Sequence, residues 1–245
     1  MSVVVLPPLG PPVDRLWHLL LDLGEMLSVG WTIVGGQMVL LHALEHGQVP
    51  PQISQDGDLI ADIRADRGAL AAVVKALHEF GFALAGIAAG GVAHRFERPG
   101  SPKPVVIDVL APEGVGARAD LSTEAPGRTI EVPGGTQALA RTEHVEVQHE
   151  SRRGTVPRPS LLGAVVAKGA ACALPGDNSR HLRDLALLCA LIEDPFEMSE
   201  QMTSKDRRRV LDARVLLDSG HSAWQLVPAA IRAQGCDAYE ILGSR

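Results

Sequence analysis

Aromatic side chains are scarce in this chain, with three Trp, four Phe and one Tyr among 245 residues. The core must therefore be built from Ala, Val, Leu and Ile, and the scarcity argues against a single-strand binder that relies on aromatic stacking platforms. A basic surplus is also missing. Lys and Arg number 23 against 29 Asp and Glu, a formal charge of −6, so any nucleic-acid contact needs a local basic patch. The three cysteines, Cys172, Cys189 and Cys236, form no CxxC pair. Each reads as a small buried apolar side chain, and a reducing, cytoplasmic setting is expected. The nine histidines show no zinc-ligand spacing with cysteines, and no zinc site is expected. No uncharged apolar run reaches the roughly 20 residues that span a bilayer. The opening MSVVVLPPLGPPVD lacks a basic start and is broken by prolines, which predicts neither signal peptide nor anchor.

What is present is an ordinary globular composition, 46% hydrophobic and 21% charged, in a length that suits one large domain or two small ones. Leu16, Leu19, Leu20 and Leu23 recur at helical spacing and predict a helix over 14–27. Trp31–Val34 reads as a short strand that stops at Gly35-Gly36, and 37–46 as a helix ended by Gly47 and Pro50-Pro51. A strand at 59–63, a helix at 68–80 and strands at 82–87, 92–97 and 105–110 follow, the last two joined across Arg98-Pro99-Gly100-Ser101-Pro102 as a hairpin. Thr155–Pro159 reads as a Pro-containing connector. Ser160 is an N-cap for a helix over 161–174, and helices follow at 180–192 and about 204–217, with shorter ones to the end. The pattern predicts an α+β fold with a core at 1–155 and a helical domain at 156–245.

Candidate chemistry gathers in the first of these. A strand, two glycines and a helix start, Trp31 to Gln37, could cradle phosphate oxygens on backbone N–H groups. Asp56-Gly57-Asp58 enters the apolar strand at Leu59-Ile60 and would project two carboxylates from one face. Two like charges so close call for a cation such as Mg²⁺ or Mn²⁺, although an Asp-Gly-Asp surface turn is the bland alternative. Asp108, inside Val105-Val106-Ile107-Asp108-Val109-Leu110, is costly unless paired or metal-bound, or else faces water from an edge strand. Three carboxylates on adjacent strands could hold two metals.

Gly35-Gly36, Asp56-x-Asp58 before an apolar strand and the isolated Asp108 resemble the signature of DNA polymerase β-type nucleotidyltransferases. The distance from Gly36 to Asp56 is long for that superfamily, and the excess is expected as loop over 48–55. Downstream, Ala164-Val165-Val166-Ala167-Lys168-Gly169-Ala170 and Arg180-His181-Leu182-Arg183-Asp184-Leu185 resemble the lysine helix and Arg-Asp helix of the AbiEii and MenT-like toxins of type IV toxin–antitoxin systems. The resemblance spans roughly residues 30 to 190.

It implies an α+β core of mixed sheet and flanking helices, then a helical region. It also implies Lys168 on nucleotide phosphates and Asp184 across the cleft; Arg183 is a further candidate for a phosphate contact. Apart from the resemblance, Lys168 could be a snorkelling lysine and Asp184 an ion-pair partner of Arg180 or Arg183. Two departures stand out: Leu187-Leu188 occupy a region that often carries a second Asp, and Gln37 follows the glycines where a hydroxyl is usual. His94 could face the site, but a structural histidine is the plainer reading. The implied activity is transfer of a nucleoside monophosphate from an NTP to an acceptor hydroxyl, on tRNA by analogy, with a cognate antitoxin as partner. Arg152, Arg153, Arg158 and Arg207-Arg208-Arg209 are the candidate tRNA surface. A small-molecule acceptor, as for aminoglycoside nucleotidyltransferases, and a silent nucleotide-binding module are the alternatives.

Overall fold

The structure, a computed structural model, describes residues 3–99 and 103–244. Strand β1 (Val4–Leu6) leads to helix α1 (Pro11–Met26), which starts on prolines whose fixed φ and missing amide suit a first turn. Strand β2 (Trp31–Val34) runs directly into α2 (Gly35–Glu45), and residues 46–55 form the long connection to β3 (Asp56–Ala61), where the excess loop was expected. Helix α3 (Ala69–Glu79) and strands β4 (Ala83–Leu84), β5 (Arg95–Arg98) and β6 (Val105–Pro112) follow. Strand β7 (Glu131–Val132), helix α4 (Gly135–Ala140) and the hairpin β8 (Thr142–His149)–β9 (Arg152–Pro159) complete the sheets. Helices α5 (Leu161–Ala171), α6 (Ser179–Ala190), α7 (Pro195–Glu200), α8 (Ser204–Leu211), α9 (Ser222–Gln225) and α10 (Ala229–Gly243) close the chain, an α+β fold as expected.

The larger sheet is mixed, in the order β2-β3-β6-β5-β4 with β7 alongside the end of β6. Within it β3 and β6 are parallel, whereas β2 and β5 run antiparallel to their neighbours. A second sheet, β1-β8-β9, packs against α1 through β9. Alternation in β3 sends Leu59 and Ala61 into the main core, while Ile60 joins Val34, Leu110 and Ala138 in a smaller apolar cluster on the opposite face.

Several boundaries depart from the sequence pattern. Residues 155–159 are not a connector but the second half of β9, so the division expected at 155/156 falls inside a strand. Pro157 and Pro159 are tolerated because β9 is an edge strand of its sheet, where a missing amide breaks no second ladder. The strand expected at 59–63 begins three residues earlier, at Asp56, and that at 82–87 shrinks to Ala83–Leu84. The helix expected at 204–217 ends at Leu211 and resumes as a 3₁₀ turn over Arg214–Leu217. Strands β5 and β6 are antiparallel neighbours, as a hairpin requires, while Gly100, Ser101 and Pro102 of its loop lie outside the described residues. Ser160 caps α5 by accepting the Gly163 amide. Cys172 and Cys189 are buried, Cys236 is half-buried, and all three are free thiols.

One apolar cluster extends from Val4 in β1 to Leu242 in α10, joining the helical half to the sheet half. None of the helices formed by the described residues is long and apolar enough to cross a membrane. Gly24 marks the tightest joint between α1 and the second sheet, because a Cβ there would run into the Thr155 carbonyl oxygen of β9. Backbone cannot swing aside as a side chain can, so Gly24→Ala is expected to destabilise the protein by about 2 kcal/mol or more. The midpoint of urea unfolding measures this, and an unchanged midpoint would show that α1 and β9 can separate at little cost.

Candidate active site

Strand register draws one row across the larger sheet. Val34 of β2 pairs with Asp58 of β3, Asp58 with Asp108 of β6, and Asp108 with Arg95 of β5. Paired residues leave a sheet on one face, as do residues two apart, so Asp56, Asp58 and Asp108 share a face. Ile60 and Leu110 lie farther along it, so the same surface is acidic at one end and apolar at the other.

Helix α2 starts beside this row. Gly35 has a φ of +67°, and a Cβ on it would collide with the Asp58 carboxylate. A Cβ on Gly36 would come within 2.9 Å of the Arg180 guanidinium and also crowd Ser54. Gln37, wholly buried, donates from Nε2 to the carbonyls of Ser54 (2.8 Å) and Asp56 (3.3 Å). It braces the entry to β3.

Each carboxylate has its own environment. Asp108 accepts two hydrogen bonds from Arg95, Nε to Oδ1 at 2.9 Å and Nη2 to Oδ2 at 2.7 Å. That bidentate pair already meets the cost of burying the acid, so its burial does not call for an ion. Asp56 accepts from the Ser54 hydroxyl and lies 3.7 Å from Arg180. Burial alone would raise its pKa, but the Ser54 hydrogen bond and Arg180 together hold it below the usual carboxylate value. Asp58 differs: burial, then the charges of Asp56 and Asp108, outweigh Lys168 and Arg180 and push its pKa up to about 6.

The helical half reaches the same place. Lys168 of α5, buried, donates to Asp184 Oδ2 of α6 at 2.6 Å. Asp184 therefore pairs with Lys168, not with Arg180 or Arg183, and Arg183 instead donates to Gln52 Oε1 at 3.1 Å. Two cavities are lined by residues of the acidic row. The larger, about 600 Å³, is lined by Gly36, Ser54, Asp56 and the cations Arg95, Arg180 and Arg183. The smaller, about 260 Å³, is more apolar and is bounded by Gly35, Asp58, Asp108, Lys168, Ile60 and Leu110. His94 also lines the smaller one, so it faces the site, and its buried Nδ1 has no hydrogen-bond partner among the described residues.

All the expected site residues therefore line one pair of cavities. The sequence reading missed Ser54, Gln37 and Arg95 as site residues and considered Arg180 only as a partner for Asp184. Only Arg180, one turn before Asp184, carried a signal that could have marked it. Of the arginines expected as a basic surface, Arg208 is exposed and most of the others have partners. Arg152 pairs with Asp22, Arg153 with Glu146, and Arg158, 1% exposed, with Glu45 and Glu143. Arg209 is buried against Glu113, and Arg207 is bonded to Ser199 and the backbone of α10 and its end. Neither the protein-family models nor the curated proteins compared with this chain give a match.

The raised pKa of Asp58 has a measurable consequence for stability. The folded state holds this proton up to about pH 6, whereas an unfolded Asp releases it near 3.8. Asp58 thus costs nothing below the lower value, and its cost grows through the window and is complete above pH 6. In metal-free buffer at pH 7.5, Asp58→Asn is expected to stabilise the protein by on the order of 2 kcal/mol, with the gain vanishing near pH 4. Thermal unfolding of both proteins across that range tests it, and a variant less stable at pH 7.5 would mean Asp58 is not under charge strain.

Proposed function

We propose that the chain is a metal-dependent nucleotidyltransferase that moves a nucleoside monophosphate from an NTP to an acceptor hydroxyl. The observation that carries this is the row of Asp56, Asp58 and Asp108 beside the glycine start of α2. It is the arrangement that the resemblance to polymerase β-type enzymes, and to the AbiEii and MenT-like toxins among them, implies. A divalent ion fits here because burial and then like charge raise Asp58, which a cation would relieve. Asp56 and Asp58 would hold it, since both oxygens of Asp108 are engaged by Arg95. Bound Mg²⁺ or Mn²⁺ would neutralise phosphate charge and lower the pKa of the acceptor hydroxyl.

The remaining work falls to the chain itself. Backbone N–H groups at the start of α2 and the guanidinium groups of Arg95, Arg180 and Arg183 bind the triphosphate in the larger cavity. Ile60, Leu110 and their neighbours offer the smaller cavity to the nucleoside. Asp184 holds Lys168 at the boundary, where its charge can turn to a phosphate oxygen once the triphosphate arrives. The ion pairs of Arg152, Arg153, Arg158 and Arg209 favour a small acceptor over tRNA, because they weaken the basic surface that a tRNA body would need.

The test is transfer of labelled nucleotide from each NTP to total tRNA, to aminoglycosides and to the protein alone. Wild type is expected to label one of these pools, and Asp58→Asn to reduce labelling at least about 10²-fold, or about 2.7 kcal/mol in barrier. Equal transfer by both proteins overturns the role of Asp58. Binding of Mg²⁺–NTP with no transfer to any pool would make the chain a nucleotide-binding module instead.

A further inference from the structure

A second cluster of ligating side chains lies outside these cavities, where α1 meets the turn between β8 and β9. One ligand atom from each of His18, His149 and Glu150 lies within 4.8 Å of the other two. His18 Nε2 is 3.1 Å from Glu150 Oε2, and the two imidazole centroids are 5.3 Å apart. His149 is wholly buried, and its Nδ1 has no hydrogen-bond partner among the described residues. Asp14 Oδ1, which accepts the Leu9 amide, comes 3.2 Å from His149 Nε2 and supplies a second carboxylate to orient that ring. Glu150 occupies a turn position with a φ of +52°, where Gly, Asn or Asp would be the usual residue.

A buried imidazole nitrogen left without a partner is costly, because it loses water and gains nothing in return. A metal ion satisfies such a nitrogen directly. We propose that His18, His149 and Glu150 form a binding site for a first-row divalent transition metal of the Zn²⁺ class, tying α1 to the β8–β9 turn. Two imidazoles and one carboxylate suit Zn²⁺ with water in the fourth position, and disfavour Mg²⁺, which takes oxygen ligands. The expectation of no zinc site rested on histidine–cysteine spacing along the chain. These ligands include no cysteine, and His18 and His149 stand far apart in sequence, brought together only because β9 packs on α1.

The site is a structural tie, separate from the acidic row, and its test reads metal binding and unfolding, not nucleotide transfer. Chelator-treated protein is titrated with Zn²⁺ in excess Mg²⁺, by calorimetry and thermal melting. One equivalent is expected to bind at micromolar affinity or better and to raise the melting temperature by about 5 °C at about 100-fold excess over Kd. His18→Gln and Glu150→Gln, both at solvent-reaching positions, are each expected to weaken binding tenfold or more while the apo proteins still melt cooperatively. No uptake of Zn²⁺, or uptake unchanged in both variants, overturns the site. Uptake lost in Asp58→Asn but kept in His18→Gln would place the ion at the acidic row and overturn it equally.

Discussion

Mutual repulsion among Asp56, Asp58 and Asp108 is the constraint around which the surrounding residues are arranged. Three carboxylates on neighbouring strands of one sheet face would not coexist at neutral pH without partners. Arg95 takes both oxygens of Asp108, and the Ser54 hydroxyl with Arg180 attends Asp56. Asp58, in the middle of the row, is influenced by Lys168 and Arg180 only through their fields, and burial together with the neighbouring carboxylates raises its pKa. The glycine start of α2 lies against this least compensated group, and Gly35 leaves it room.

The helical half is part of the same arrangement. Arg180 and Asp184 lie one turn apart on α6, so one helix face reaches both Ser54 beside the acidic row and Lys168 of α5. Helices α5 and α6 in turn pack on each other and on α8 and α10, so the position of Lys168 depends on the core of the C-terminal helices. A shared apolar cluster from β1 to α10 gives this support a physical basis. Arg95, Arg180 and Arg183 line the larger cavity, while Arg152, Arg153 and Arg209 are held in ion pairs elsewhere.

The β8–β9 hairpin links the second sheet to α1, and several polar contacts at its turn end involve α1. Arg152 reaches Asp22 and the His18 carbonyl, and His149 and Glu150 approach Asp14 and His18. Since α1 also packs beneath β3 and β6, whatever stiffens this joint also steadies the sheet that carries the acidic row.

Much was legible in the residues alone. Apolar periodicity located α1, α2, α3, α5 and α6, and the spacing of Asp56, Gly57 and Asp58 in front of Leu59-Ile60 carried its own face assignment, because strand alternation is local. The β8–β9 hairpin was not legible: Pro157, Pro159 and Gly154 suggest a linker, and only its place at a sheet edge makes them acceptable. Pairing was equally hidden. Register between β3, β6 and β5 is a relation between segments far apart in sequence, so nothing local could reveal that Arg95 would pair with Asp108. For the same reason Ser54 and Gln37 passed as loop and helix residues, and His18 and His149 as unrelated histidines. Sequence determined which residue types could carry charge, cradle phosphate or bind metal. Tertiary structure alone decided which of them meet, because side-chain partnership depends on packing across the fold and not on distance along the chain.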